Sequence, residues 1–84
     1  MRAVIEETAY GVLATIPAKT EDGETIPRSE RIAKVIRMSL QLGMKFAART
    51  IVEGEVIALL LPLGDGASDQ TFTEAADMLL AAAS

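Results

Sequence analysis

Residues 28–49 read RSERIAKVIRMSLQLGMKFAAR, and in this stretch a helical repeat of apolar residues coincides with a segregation of charge. At about 100° per residue the apolar side chains share one broad face, which consists of Ile32, Val35, Ile36, Leu40, Leu42, Gly43, Phe46 and Ala47. The basic residues lie on the opposite face or at its border: Arg31, Lys34, Arg37, Lys45 and Arg49. The stretch therefore predicts one amphipathic basic helix about 33 Å long, around which the fold is organised.

The segment before this helix predicts a first helix and an acidic loop. Residues 2–16 place Ile5, Ala9, Val12, Leu13 and Ile16 at helical spacing, and Pro17 ends the element. A strand over residues 10–16 is the alternative. Residues 17–27 are acidic and bracketed by prolines, and Asp22-Gly23 marks a turn at their centre. If residues 10–16 form a strand, this loop returns as a hairpin through residues 24–26.

Two more elements are predicted after the central helix. Ser29 is the expected N-cap of that helix, and Gly54 either ends it or lies within it. Residues 56–61 are apolar on all sides, which fits a buried helix or a buried strand, and we favour the helix because no second clear strand is visible. Thr71 and Glu74 have the spacing of a capping box, so a C-terminal helix is expected to begin at Thr71.

These elements predict a single all-α domain over residues 1–84, with three to four helices. The predicted core is Ile32, Val35, Ile36, Leu40, Phe46, Leu60, Phe72, Leu79 and Leu80. An α+β fold with a small two-stranded sheet, formed by residues 10–16 and 56–61, is the alternative.

Composition excludes several kinds of chemistry. The chain has no cysteine and no histidine, so it has no thiolate site and lacks the commonest general base and metal ligand. We expect no cofactor and no metal. Glu6 and Glu7 interrupt any signal peptide, and the longest apolar run is far too short to span a bilayer. The sequence therefore predicts a cytoplasmic protein with no membrane contact, and its small size favours a homo-oligomer.

Charge is strongly segregated, although the net charge is only −4. Residues 28–49 hold six basic residues and one acid, and the rest of the chain holds two basic residues and eleven acids. We predict a partner-binding basic face made of Arg31, Lys34, Arg37, Lys45 and Arg49. We also predict an acidic surface made of Glu6, Glu7, Glu21, Asp22 and Glu24, which could occupy the groove of a nucleic-acid-binding partner or only aid solubility.

The resulting hypothesis is a non-enzymatic protein-interaction module of the inhibitor or adaptor type, like small proteins that phages and mobile elements use to block host complexes. Its partner would be another protein or a second copy of the chain. A small homodimeric nucleic-acid-binding protein, which uses the basic face of the central helix, is the alternative.

Overall fold

Four strands and two helices form the computed structural model, which describes residues 3–43 and 47–84. In chain order the elements are β1 (Val4–Thr8), β2 (Gly11–Thr15), α1 (Arg28–Leu42), β3 (Arg49–Glu53), β4 (Val56–Pro62) and α2 (Asp69–Ala83). The strands form one antiparallel sheet in the order β1-β2-β4-β3, and both helices contact it. The fold is α+β. The prediction of an all-α helical bundle is therefore wrong, and the α+β alternative is confirmed in class.

The two central strands are the segments that the α+β alternative selected. β2 and β4 pair directly, with Val12 opposite Leu61 and Ala14 opposite Leu59. The prediction of a helix over residues 56–61 is wrong because this apolar segment does have a partner strand, namely β2. The prediction of a first helix over residues 2–16 is also wrong, since residues 4–15 form the β1–β2 hairpin with a two-residue turn at Ala9 and Tyr10.

The long central helix is shorter than predicted. α1 ends at Leu42. Gly43 follows it with φ +70°, and the Gly43 N–H donates a hydrogen bond to the Ser39 carbonyl at 3.1 Å. The predicted helix extends to Arg49, but Arg49–Glu53 form the edge strand β3. Gly54 lies in the β3–β4 turn rather than in or at the end of a helix. Ser29 is not the N-cap, because Pro27 holds that position without any side-chain cap.

The core lies between the helices and one face of the sheet. Its largest fully buried side chains are Ile16, Met38, Ile57, Leu59, Leu61, Leu79, Val12 and Val35. Of the predicted core, Val35 and Leu79 are buried; Ile32, Leu60 and Phe72 are half-buried; Ile36, Leu40 and Leu80 are exposed; and Phe46 is outside the described residues. α1 buries Arg31, Val35 and Met38. Ile36 lies about 100° around the helix from Val35, which turns it away from the sheet.

The C-terminal helix exists, but it begins earlier than predicted. Ser68 is the N-cap of α2, and its hydroxyl accepts a hydrogen bond from the Thr71 N–H at 3.2 Å. Thr71 therefore lies inside the first turn, and the predicted capping box is wrong. The side of α2 that packs on the rest of the fold is apolar, and on it Ala75, Leu79 and Ala83 are buried.

The acidic loop forms a small hairpin of its own. Thr20 donates to the Glu24 carbonyl at 2.9 Å, and Ile26 donates to the Ala18 carbonyl at 2.8 Å. Gly23, with φ +85°, lies in its turn, which confirms the predicted turn at Asp22-Gly23. The chain returns through residues 24–26, but these residues bond with residues 18–20 and not with β2. We call residues 18–26 the acidic hairpin.

The two halves of the fold are related by an approximate two-fold axis. β1 and β3 begin at Val4 and Arg49, 45 residues apart, and β2 and β4 begin at Gly11 and Val56, with the same separation. Both hairpins have the same register and a two-residue turn. Each half continues into a 15-residue helix that contacts the hairpin of the other half. The β2–β4 pairing joins the two halves, and each helix packs on the hairpin of the other half.

Candidate interaction surface

The helices cover only one face of the sheet in the described part of the chain. Strand register places every second residue on the opposite face, which we call the open face. The open face consists of Val4, Glu6, Thr8, Gly11, Leu13, Thr15, Arg49, Ile51, Glu53, Val56, Ala58, Leu60 and Pro62. Ala58, at its centre, is fully buried by its neighbours. None of these side chains belongs to the core cluster beneath the helices.

The open face has an apolar centre and a charged rim. One cross-strand row runs from Glu6 through Leu13 and Leu60 to Arg49, so that an acid and a base end the same row on opposite edge strands. At about 4.8 Å per strand, the two charged residues are about 14 Å apart across the sheet. The two leucines between them are half-buried, and the charged ends are exposed.

The central strands are apolar on both of their faces. β2 reads GVLAT and β4 reads VIALLLP, and in both strands apolar side chains point toward the helices and also toward the open face. Val4 and Val56, at the border of this face, are 55% and 48% exposed. Antiparallel strands with one solvated face ordinarily alternate apolar and polar residues, and these two do not.

Arg31 of the predicted basic face is buried. It is only 3% exposed, and its guanidinium group donates two hydrogen bonds to the Ile16 carbonyl, from Nη2 at 2.8 Å and from Nε at 3.2 Å. A third bond, also from Nη2, reaches the Glu55 carbonyl at 2.9 Å. Arg31 therefore joins α1 to the end of β2 and to the β3–β4 turn. This internal position leaves it no surface for a partner.

The other predicted basic residues are not brought together on one surface. Lys34 is half-buried on α1, and Arg37 is exposed on the same helix. Arg49 lies on the open face of the sheet, in β3. Lys45 lies outside the described residues. Because α1 and the open face are on opposite sides of the sheet, Arg37 and Arg49 belong to different surfaces.

The predicted acidic residues occupy two places. Glu21, Asp22 and Glu24 are exposed in the acidic hairpin, whose residues share a surface depression with Val4. Glu6 and Glu7 are exposed on the edge strand β1, where Glu6 points to the open face and Glu7 to the helix side. The structure thus brings Glu6 and Arg49, from the two predicted charge sets, onto one surface.

Sequence reasoning missed the apolar part of this surface. The helical repeat of residues 2–16 predicts a helix at Leu13, the predicted core includes Leu60, and no pattern in the sequence singles out Val4 or Ile51. The signal in the sequence was the apolar composition of residues 10–16 and 56–61, the two segments that form strands in the α+β alternative. Such strands bury both faces, and a chain of this length has only enough helix to cover one of them.

Two further searches of the described ranges bear on the kind of site. Residues 3–43 and 47–84 hold no group of three or more acidic side chains that could bind a metal ion together. Neither of the two helices in those ranges is long and apolar enough to cross a membrane.

Comparison with known proteins finds no relative: no protein-family model, no curated protein and no solved structure matches this chain.

Proposed function

We propose that this protein is a non-enzymatic protein-interaction module of the inhibitor or adaptor type, and that the open face binds its protein partner. The observation that carries the proposal is the apolar surface on the side of the sheet away from the helices, where Val4 and Val56 are about half exposed and Leu13 and Leu60 are half-buried. An exposed apolar patch with a polar rim is typical of protein interaction sites.

The side chains of the open face suit a protein partner. Leu13 and Leu60 at its centre would bury their remaining exposed area on binding, and apolar contacts supply most of the affinity of such interfaces. Glu6 and Arg49, on opposite rims, would orient a partner of matching charge pattern. A rim of both signs selects a partner with both signs, which a nucleic-acid backbone does not offer.

The nucleic-acid alternative has less support. It rests on a continuous basic face along the central helix, but Arg31 donates its hydrogen bonds to main-chain carbonyls and Arg49 lies in β3. In the described residues of α1, the exposed cations Arg28 and Arg37 share their helix with the acid Glu30. No specific arrangement of these residues favours phosphate binding.

The test compares two leucines that are replaced by the same charged residue. Tagged wild-type protein, Leu60→Lys on the open face and Leu80→Lys on α2 would be used to capture proteins from lysate of the source cells, with and without nuclease treatment. Leu80 is 47% exposed and Leu60 is half-buried, so circular dichroism would first check that each variant keeps the fold. We expect a stoichiometric partner with wild type and with Leu80→Lys, and at least about tenfold weaker binding with Leu60→Lys.

Two outcomes would contradict the proposal. One is equal capture of the partner by Leu60→Lys and by wild type, which would place the interface elsewhere. The other is co-purification of nucleic acid alone, removed by the nuclease, which would support the alternative function.

A further inference from the structure

The sheet has two edge strands, and among the described residues each of them pairs on one side only. The strand order β1-β2-β4-β3 places β1 at one edge and β3 at the other. The outer main-chain groups of an edge strand can pair with another strand, so proteins usually protect such edges. Because the two hairpins are equivalent under the internal two-fold axis, β1 and β3 can be compared position by position.

The β1 edge is unsuited to pairing with a second copy of itself. Antiparallel pairing of two β1 strands about their central residue would place Glu6 directly opposite Glu6 of the second copy. Like charges in that position destabilise a pair of strands. Glu6 and Glu7 are both exposed, so their charges protect this edge.

The β3 edge is self-complementary. Its sequence is RTIVE, and antiparallel pairing about the central Ile51 places Arg49 opposite Glu53 of the second copy. The two-fold axis produces that pair twice. Arg49, Ile51 and Glu53 all lie on the open face, so the opposite charges would meet on the same side of the combined sheet.

The main chain of β3 is in the right phase for this pairing. β3 and β4 are joined by the two-residue turn Gly54-Glu55, so the flanking pair Glu53 and Val56 exchanges hydrogen bonds, as does every second pair beyond it. The N–H and C=O groups of Thr50 and Val52 therefore point away from β4. Self-pairing about Ile51 places Thr50 opposite Val52 of the second copy, and the two such pairs would form four main-chain hydrogen bonds.

Apolar side chains flank this edge on the helix side as well. Ile36 and Leu40 of α1 are 49% and 76% exposed. Leu40 shares a surface depression with Ala47 and Ala48, which lead into β3, so this side of α1 lies next to the β3 edge. Val52, on the helix side of β3, is 39% exposed. A second copy at the edge would cover apolar surface from both layers.

We propose that two copies of this chain pair through β3 in antiparallel fashion about Ile51, so that their sheets form one continuous eight-stranded sheet. The two open faces would then lie side by side and stay uncovered. The dimer pairs the outer main-chain edge of β3, whereas the proposed partner site is centred on Leu13 and Leu60. Arg49 contributes to both surfaces, but the Leu60→Lys and Ile51→Cys variants test them separately, so either proposal can fail without the other.

A single engineered cysteine tests the geometry. Ile51 would lie opposite its own copy in a pair without hydrogen bonds, where Cα atoms are about 4.5 Å apart, a distance that a disulfide can span. The natural chain has no cysteine, so Ile51→Cys introduces one thiol per copy. We expect diamide oxidation at micromolar protein concentration to link Ile51→Cys into a covalent dimer. Leu80→Cys, on the exposed side of α2 and away from both edge strands, is the control and should stay largely monomeric.

Charge exchange tests the proposed ion pairs. By sedimentation equilibrium we expect wild type to show twice the 8.9 kDa chain mass, and Glu53→Arg to raise the dimer dissociation constant at least about tenfold. The double variant Arg49→Glu/Glu53→Arg restores opposite charges and should recover the dimer, and Leu60→Lys should leave it unchanged. A monomeric wild type at about 100 μM, or equal crosslinking of Ile51→Cys and Leu80→Cys, would overturn the proposal.

Discussion

Ala14 and Leu59 lie directly opposite each other on β2 and β4, and they are also equivalent positions of the two halves of the fold. The approximate two-fold axis passes between them, and both side chains are fully buried. The small side chain on one strand leaves room for the large one on the other, which is how two similar hairpins meet in one core without a clash.

This relationship predicts unequal effects for two adjacent leucines. Leu59→Ala should lower the free energy of unfolding by about 2–5 kcal/mol, because it opens a cavity at the junction of the halves. Leu60→Ala, on the open face, should lower it by roughly 1 kcal/mol, since that side chain is already half-exposed. Urea denaturation followed by circular dichroism measures both. Similar losses for the two variants would show that the open face is covered in solution.

Arg31 is expected to stabilise the fold rather than to bind a partner. Arg31→Ala removes three hydrogen bonds to the carbonyls of Ile16 and Glu55, and we expect a loss of about 2–4 kcal/mol in unfolding free energy. Arg37→Ala, on the exposed side of the same helix, should change it by less than about 0.5 kcal/mol.

Salt separates this role from a surface ion pair. The partners of Arg31 are neutral carbonyls in a buried site, so the difference between wild type and Arg31→Ala should stay nearly constant from low salt to about 1 M salt. A difference that disappears at high salt would mean that Arg31 pairs with a carboxylate in solution.

The strand content could be predicted only in part from the sequence. The apolar runs of β2 and β4 identified both central strands as candidates, but each run also fits a buried helix, and its pairing partner lies more than 40 residues away along the chain. β1 has adjacent glutamates and no alternation of apolar and polar residues, so its strand conformation depends on pairing with β2. Pairing of this kind is a tertiary effect that local periodicity does not contain.

The candidate surface was harder to predict than the fold class. The helical wheel placed Arg31 with the solvent-facing cations, whereas the fold buries it, since carbonyls at two strand ends can accept its hydrogen bonds. Because the buried side of α1 includes Arg31 and not only the apolar residues of the helical wheel, Ile36 and Leu40 are exposed. The charge of Arg31 therefore did not predict whether it is exposed. Its hydrogen-bond partners, the carbonyls of Ile16 and Glu55, lie in strands and turns whose position relative to α1 the sequence does not reveal.

Gly11 is predicted to be irreplaceable at the start of β2. Its φ is +145°, and a Cβ atom at this position would overlap the Leu61 carbonyl oxygen and approach Pro62 Cα at 2.9 Å on the neighbouring strand. Gly11→Ala should therefore lower the unfolding free energy by more than about 2 kcal/mol. Gly64→Ala is the control, because a Cβ atom there meets nothing within 4 Å. If thermal melting shows equal effects, the β2–β4 contact at Gly11 is looser in solution than these distances indicate.

Ser68, and not Thr71, is predicted to be the residue whose side chain starts α2. Its hydroxyl oxygen accepts the Thr71 N–H at 3.2 Å and lies 3.0 Å from the Thr71 hydroxyl. Ser68→Ala leaves a first-turn N–H without its acceptor, so we expect a loss of about 1 kcal/mol, as for other N-cap serines. Ser29→Ala, at the second residue of α1, should be nearly neutral because that hydroxyl caps nothing. Urea unfolding of Ser68→Ala, Thr71→Ala and Ser29→Ala decides between the caps: a larger loss for Thr71→Ala than for Ser68→Ala would place the helix start at Thr71 after all.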